Sequence, residues 1–182
     1  ENVPAVLHAV KYSCCGAVKE TARHTMENGI CTTCRHKEQP QAENGMYLIS
    51  NAGQLLWFNE HLEADPENLS SNAKLTADID MTGEVWITPA VTKSYFTSAE
   101  YDQGRGYQGT FDGNGHVISN TTIKKNDTGV NDALGLFGTL SGTVTHLGME
   151  NVTIDYSNTS NAYMGTIASQ IIAGGKVSNC FV

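Results

Sequence analysis

A short element recurs three times in the second half of this chain, its residues drifting while its shape holds. Gly109-Thr-Phe-Asp-Gly113 returns as Gly135-Leu-Phe-Gly138, 26 residues on, and more faintly as Gly165-Thr-Ile-Ala168, a further 30 on. A second element travels with it: Val117-Ile-Ser-Asn-Thr-Thr-Ile123, then Thr143-Val-Thr-His-Leu-Gly-Met149, then Lys176-Val-Ser-Asn-Cys-Phe-Val182. A period of roughly 20–50 residues marks stacked units, each too small to bury its own apolar face.

The units read as strands. In Ala73-Lys-Leu-Thr-Ala-Asp-Ile-Asp-Met81 the apolar residues Ala73, Leu75, Ala77, Ile79 and Met81 alternate with polar ones, the period of a half-buried strand. Short runs rich in Val, Ile and Thr between Gly-containing turns point to an all-β fold. Ahead of them, Asn51-Ala-Gly-Gln54 has the form of a capping box. Leu55, Phe58 and Leu62 then follow at helical spacing, and Asp65-Pro66 stops the helix. A sandwich and a solenoid both accommodate such strands. The repeat favours the solenoid: a parallel β-helix in which Phe111, Phe137 and Ile167 stack in a column and the helix at 51–64 caps the N-terminal end. Its coils are expected to continue beyond Val182, in a longer protein.

Chemistry divides the chain near residue 42. Four of five cysteines, Cys14, Cys15, Cys31 and Cys34, lie in a head spanning 1–41, and Gln39-Pro-Gln-Ala-Glu-Asn-Gly45 reads as a linker to the repeat region, 42–182. Residues 1–40 hold five Lys/Arg against four Asp/Glu, whereas the remainder holds six against fifteen. So acidic a surface repels phosphate backbones, which argues against nucleic-acid binding. No run approaches the roughly 18 apolar residues of a membrane span, and no signal peptide is visible at the N-terminus.

Tyr47-x-Ile49, the short helix, Leu75-Thr-Ala-Asp-Ile-Asp-Met81, Trp86, Tyr107-x-Gly109-Thr-Phe-Asp-Gly-Asn-Gly-His116, Ile118-Ser-Asn120, Gly135-Leu-Phe-Gly138 and Val144-x-x-Leu147 succeed one another over residues 46–182. Together they resemble the GLUG-type repeats of bacterial surface proteins, found in adhesin-like proteins and in non-catalytic regions of immunoglobulin A1 peptidases. The resemblance implies a right-handed parallel β-helix, secreted or displayed on a bacterial surface. It further implies non-catalytic binding to a host or environmental glycan or surface protein. No His-Glu-x-x-His motif is present, so a peptidase activity does not carry over.

The head resembles small Cys/His modules that precede such repeats. Cys31-Thr-Thr-Cys34 lets two thiolates face one ion from a tight turn after Asn28-Gly29, and zinc then needs two more N or S ligands. Cys14 or Cys15 and His24 are the candidates, with His36 a weaker substitute. The alternatives are disulfides from Cys14 and Cys15 to Cys31 and Cys34, or free thiols. Either staple is structural, because some forty residues cannot build a core alone. Cys180 falls in an inward slot of the repeat, as a buried thiol.

Two further sets of residues are candidates for function. Asp78, Asp80 and Asp112 invite a glycan-cleaving acid/base reading, the alternative to an adhesion module. Against it, Asp112-Gly-Asn-Gly115 has the chemistry of a turn and the other two that of a solvated face. The aromatic tract from 86 to 107 is expected to form a long loop, with Trp86, Tyr95, Tyr101, Arg105 and Tyr107 as a patch for sugar rings or a protein. Scattered histidines such as His116 and His146 read as packing or surface residues.

Overall fold

The computed structural model describes residues 7–11, 18–89, 106–124, 132–156, 162–172 and 174–182. These are mostly strand, with one α-helix. The head holds β1 (Leu7–Lys11), β2 (Val18–Arg23), β3 (Met26–Glu27) and β4 (Ile30–Cys31). Then come β5 (Gln41–Glu43), β6 (Met46–Ile49), α1 (Ala52–Ala64) and a 3-10 turn at Pro66–Ser70. They are followed by β7 (Asn72–Leu75), β8 (Ile79–Asp80), β9 (Val85–Ile87), β10 (Thr110–Asp112), β11 (Val117–Ser119) and β12 (Thr122–Lys124). The remainder comprises β13 (Asp132–Leu134), β14 (Phe137–Leu140), β15 (Thr143–Thr145) and β16 (Gly148–Glu150). Beyond these lie β17 (Thr153–Asp155), β18 (Ala162–Met164), β19 (Ala168–Ile171) and β20 (Lys176–Ser178).

Three hairpins, β1–β2, β3–β4 and β5–β6, are antiparallel. From β6 onward every described strand pairing is parallel. One sheet runs β20-β15-β10-β7-β6-β5, a second β16-β11-β8 and a third β17-β12-β9. Equivalent residues therefore stand over one another. Tyr47, Ala73, Phe111, Val144 and Val177 form one column. Ile79, Ile118 and Met149 form a second, and Trp86, Ile123 and Ile154 a third. From Thr110 to Thr143 to Lys176 the step is 33 residues, and from Ile118 to Met149 or Ile123 to Ile154 it is 31. Alternation explains which residues turn inward: in β10, β11, β12 and β15 the middle side chain is buried and both neighbours are half-exposed.

The helix belongs to the same core. Leu55, Phe58 and Leu62 are fully buried, and the Phe58 ring lies 6.2 Å from Phe111 and 6.3 Å from Tyr107. Its start follows the capping-box expectation with one shift. Asn51 Oδ1 accepts from the Gln54 amide at 2.9 Å, whereas Gln54 Oε1 reaches back to the amide of Ser50, not Asn51, at 2.8 Å. Asn51→Ala is expected to cost about 1 kcal/mol, measured as a lower denaturant midpoint at unchanged slope.

The register differs from the sequence reading. Phe111 stacks on Val144, while Phe137 stacks on Ala168, so Phe111, Phe137 and Ile167 do not share a column. The two phenylalanines face each other across the interior instead, ring centroids 5.7 Å apart and edge to face. Val117 likewise pairs with Gly148 and not Thr143, although the match of Thr143-Val-Thr with Lys176-Val-Ser holds. The run 73–81 is two strands with a bend at Thr76-Ala77. The segment read as a linker is itself a strand: Gln41–Glu43 pairs with Met46–Leu48 around a turn at Asn44-Gly45, both at positive φ.

Candidate metal centre

The head builds a metal-sized cluster from a two-residue turn. Asn28 and Gly29 sit at φ 47° and 76°, the left-handed pair that joins two twisted strands with least strain, and β3 and β4 pair across them. Past β4 the chain folds back: the Arg35 amide donates to the Cys31 carbonyl at 3.0 Å, and the Cys31 amide donates to the His36 carbonyl at 2.8 Å. Arg35 itself takes φ 61° to close the loop. This curl brings Cys34 beside Cys31, with His24, just ahead of β3, on the same side.

One ligand atom each from His24, Cys31 and Cys34 lies within 4.8 Å of the others. Cys34 Sγ stands 3.6 Å from His24 Nε2. Ions with Zn–S near 2.3 Å and Zn–N near 2.0 Å at tetrahedral angles need S···N edges of roughly 3.5 Å, so this donor pair fits zinc. Cys31 is fully buried and Cys34 exposed. His36 packs against His24 at a tilt of 42°, with ring centroids 4.5 Å apart, and stays outside the triad. Of the five metal candidates, the structure brings together His24, Cys31 and Cys34, while Cys14 and Cys15 lie outside the described residues. Cys180 is half-buried against the core, its sulfur 3.2 Å from the Ser178 carbonyl oxygen.

The proposed ligand patch is rearranged. Trp86 is fully buried, and its indole donates to the Leu136 carbonyl at 3.0 Å; Tyr107 is 2% exposed, stacked on Phe137 at 4.2 Å, with its hydroxyl donating to the Ser71 carbonyl. Both are core residues and offer no ring face to a ligand. The physical reason is register: Trp86 occupies the inward position above Ile123, and Tyr107 bridges to Leu140. Tyr95, Tyr101 and Arg105 lie outside the described residues. A concavity the sequence did not suggest opens elsewhere, a groove of about 630 Å³ between the head, α1 and β9. Leu56, Val85 and Ile87 line it, and the ion pairs Arg35–Glu84 and Lys37–Glu60 cross it. No local motif marks it, because its walls come from three separate stretches of chain.

The aspartates have structural partners. Asp78 accepts from the Val117 amide at 3.0 Å and contacts His116 Nδ1 at 3.1 Å, and these bonds hold its carboxyl below the usual range. Asp80 accepts from Asn120 and from the Thr82 hydroxyl and amide, and it too is held low. A general acid at neutral pH needs the opposite shift. Asp112 accepts from the Asn114 amide at 2.8 Å, the turn role expected of it. Positive φ falls on Asn114 and Gly115; Gly113 is required for another reason, since a Cβ there would stand 2.4 Å from the His146 carbonyl oxygen.

No helix among the described residues is long and apolar enough to cross a membrane. Comparison with protein-family models, with curated proteins and with solved structures finds no match to this chain.

Proposed function

We propose that the chain is a non-catalytic interaction module of a bacterial secreted or surface protein. In this reading the parallel ladders are coils of a right-handed parallel β-helix of the GLUG-like kind, and the head is a small unit stapled by zinc. The observation that carries the reading is the in-register stacking of four strands, β7, β10, β15 and β20, at sequence steps of 38, 33 and 33 residues. Stacked coils make a stiff rod with a long lateral surface, and such repeats work by presenting that surface. The reading is supported further by the low-shifted carboxylates Asp78 and Asp80, which suit a structural role better than acid catalysis. Tyr163 and Met164 on β18, Ile171 on β19 and Phe181 after β20 are exposed on the last strands of their sheets, and such edges suit a further coil of the same kind.

With Trp86 and Tyr107 in the core, contact with a glycan or protein partner falls to Tyr95, Tyr101 and Arg105. Arrays of glycans and of surface proteins, probed with the purified chain, test this. Binding to a defined ligand that weakens at least tenfold in Tyr95→Ala/Tyr101→Ala is the expected outcome. Turnover of a polysaccharide that Asp112→Asn abolishes would replace the reading with an enzymatic one, and empty arrays would leave a spacer.

Zinc is tested separately. Native mass spectrometry should find one zinc per chain. Cys34→Ser should weaken zinc by more than the roughly 10–100-fold that loss of an outer hydrogen bond costs. Absence of zinc together with absence of titratable thiol in the head would make the staple a disulfide.

A further inference from the structure

The turn that positions the cysteines also caps the helix. Three amides open α1 without intrahelical acceptors. Gln54 is served by its own N-cap, Asn51. The other two are served from the head: the Ala52 amide donates to Asn28 Oδ1 at 3.2 Å, and the Gly53 amide to the Asn28 carbonyl at 2.9 Å. Asn28 Nδ2 in turn donates to the Asp80 carbonyl in β8 at 3.0 Å. One residue of the head thus holds both the helix start and the first turn of the repeat region.

The contact is backbone against backbone. A Cβ on Gly53 would stand 2.0 Å from the Gly29 carbonyl oxygen, and a Cβ on Gly29 would stand 2.0 Å from Asn51 Oδ1. Two glycines are needed because nothing but hydrogen fits between turn and helix. The same Gly29 carbonyl accepts from the Glu38 amide at 2.8 Å, and Asn51 Nδ2 donates to Glu38 at 3.0 Å, so the far side of the curl is tied to the same spot. Cys31 lies two residues beyond Gly29. Strands of two residues each do not hold a hairpin in water by themselves. What fixes this one is its bonding to α1 and Glu38 on one side and, on the other, the gathering of His24, Cys31 and Cys34.

We infer that metal loading at His24, Cys31 and Cys34 controls the docking of the Asn28–Gly29 turn on the first turn of α1, so that the head is a metal-dependent lock on the N-terminal cap of the repeat region. This rests on the zinc reading. When metal is bound, the hairpin is rigid and presents Asn28 to the helix; when it is removed, the hairpin loosens and the Ala52 and Gly53 amides lose their acceptors. The coupling is reciprocal, so a docked helix tightens metal binding by the same factor.

Amide hydrogen exchange on the full chain, with zinc saturating or chelated, tests this at single residues. Zinc at a hundred times its Kd should slow exchange at Ala52 and Gly53 by up to about a hundredfold, while Val144, in β15, changes much less. Gly53→Ala should still bind one zinc, yet exchange at residue 52 should no longer respond to it, although alanine is the better helix former. Asn28→Gly, which keeps the left-handed backbone and removes only the side chain, should lose most of the Ala52 response and serves where Gly53→Ala does not fold. Bound zinc with unchanged exchange at Ala52 and Gly53 overturns the lock and leaves the zinc site standing. An equal response at Val144 overturns it too, because the metal then acts on the whole fold. Failure to bind zinc at all removes the underlying reading, and the lock with it.

Discussion

Alanine at Gly142 should destabilise the fold by about 3 kcal/mol or more, seen as a lower denaturant midpoint with an unchanged slope. Gly142 does not need left-handed backbone, so an alanine there carries no conformational penalty. On that ground alone the substitution would stabilise by about 0.4–1 kcal/mol, through the unfolded state. The opposite sign comes from the stacking. A Cβ on Gly142 would stand 2.1 Å from the Gly109 carbonyl oxygen and 2.4 Å from the Gln108 carbonyl carbon. Both obstructing atoms are backbone, and the Gly109 carbonyl is already fixed by the Thr143 amide at 2.9 Å, so neither can give way without breaking the ladder. The same approach recurs at Gly109 against Ser71 and at Gly175 against Leu140, just ahead of the neighbouring strands β10 and β20. Gly83→Ala is the control: it sits at φ 81° with nothing within 4 Å, and its cost is the left-handed strain of about 1–2 kcal/mol. A neutral or stabilising Gly142→Ala would mean the stacked strands do not approach as described. Against a total stability of about 5–15 kcal/mol, the predicted loss is readily measured.

Much of the fold was legible because it follows from local chemistry. The helix start at Asn51, its stop at Asp65-Pro66 and the inward faces of 73, 75, 79 and 81 rest on caps, proline and alternation, all written within a few residues. The repeat was visible for the same reason. Its register was not. Gly109-Thr-Phe and Gly135-Leu-Phe are alike because both turn an aromatic ring into the same interior, but they do so from different sheets, β10 and β14. Self-similarity reports what a side chain faces, whereas register is set by which backbone groups meet, and Thr110-Phe-Asp meets Thr143-Val-Thr. His146 and Asn120 illustrate the same limit: both take positive φ, as analogous corners do, yet His146 bonds Asn179 while Asn120 bonds Asn151. Trp86 was misread because the tract from 86 to 107 was judged by its aromatic content. The signal that would have corrected it is the triplet pattern Val85-Trp-Ile, Thr122-Ile-Lys and Thr153-Ile-Asp, whose middle residues share the inward position. Cys31 and Cys34 were legible because Cys-x-x-Cys after Asn-Gly is a local motif, and His24 because it lies a few residues ahead of that turn. The docking of that turn on α1 was not, since it joins residues 28 and 53 through a contact that only the folded chain makes.

Phe111→Ala is expected to cost about 3–5 kcal/mol, the range for removing a fully buried aromatic ring. The value should fall high in that range because the site cannot collapse. Phe111 is held in place above and below by Ala73 and Val144, whose positions are fixed by the ladder and not by the ring. Its other neighbours, Phe58 at 6.2 Å and Phe137 at 5.7 Å, belong to α1 and to the opposite sheet, each anchored by its own hydrogen bonds. The cavity therefore persists, and its walls lose contacts on the open side. Phe111→Leu, which keeps most of the volume, should cost clearly less. The distribution of the loss is as informative as its size. One ring touches α1 and two sheets, so helix and strands should melt together: far-ultraviolet circular dichroism and the fluorescence of Trp57 and Trp86 should report the same lowered midpoint. Were the helix to keep the wild-type midpoint while Trp86 fluorescence fell early, α1 would be stable apart from the sheets. The common core of α1, Phe111 and Phe137 would then be wrong.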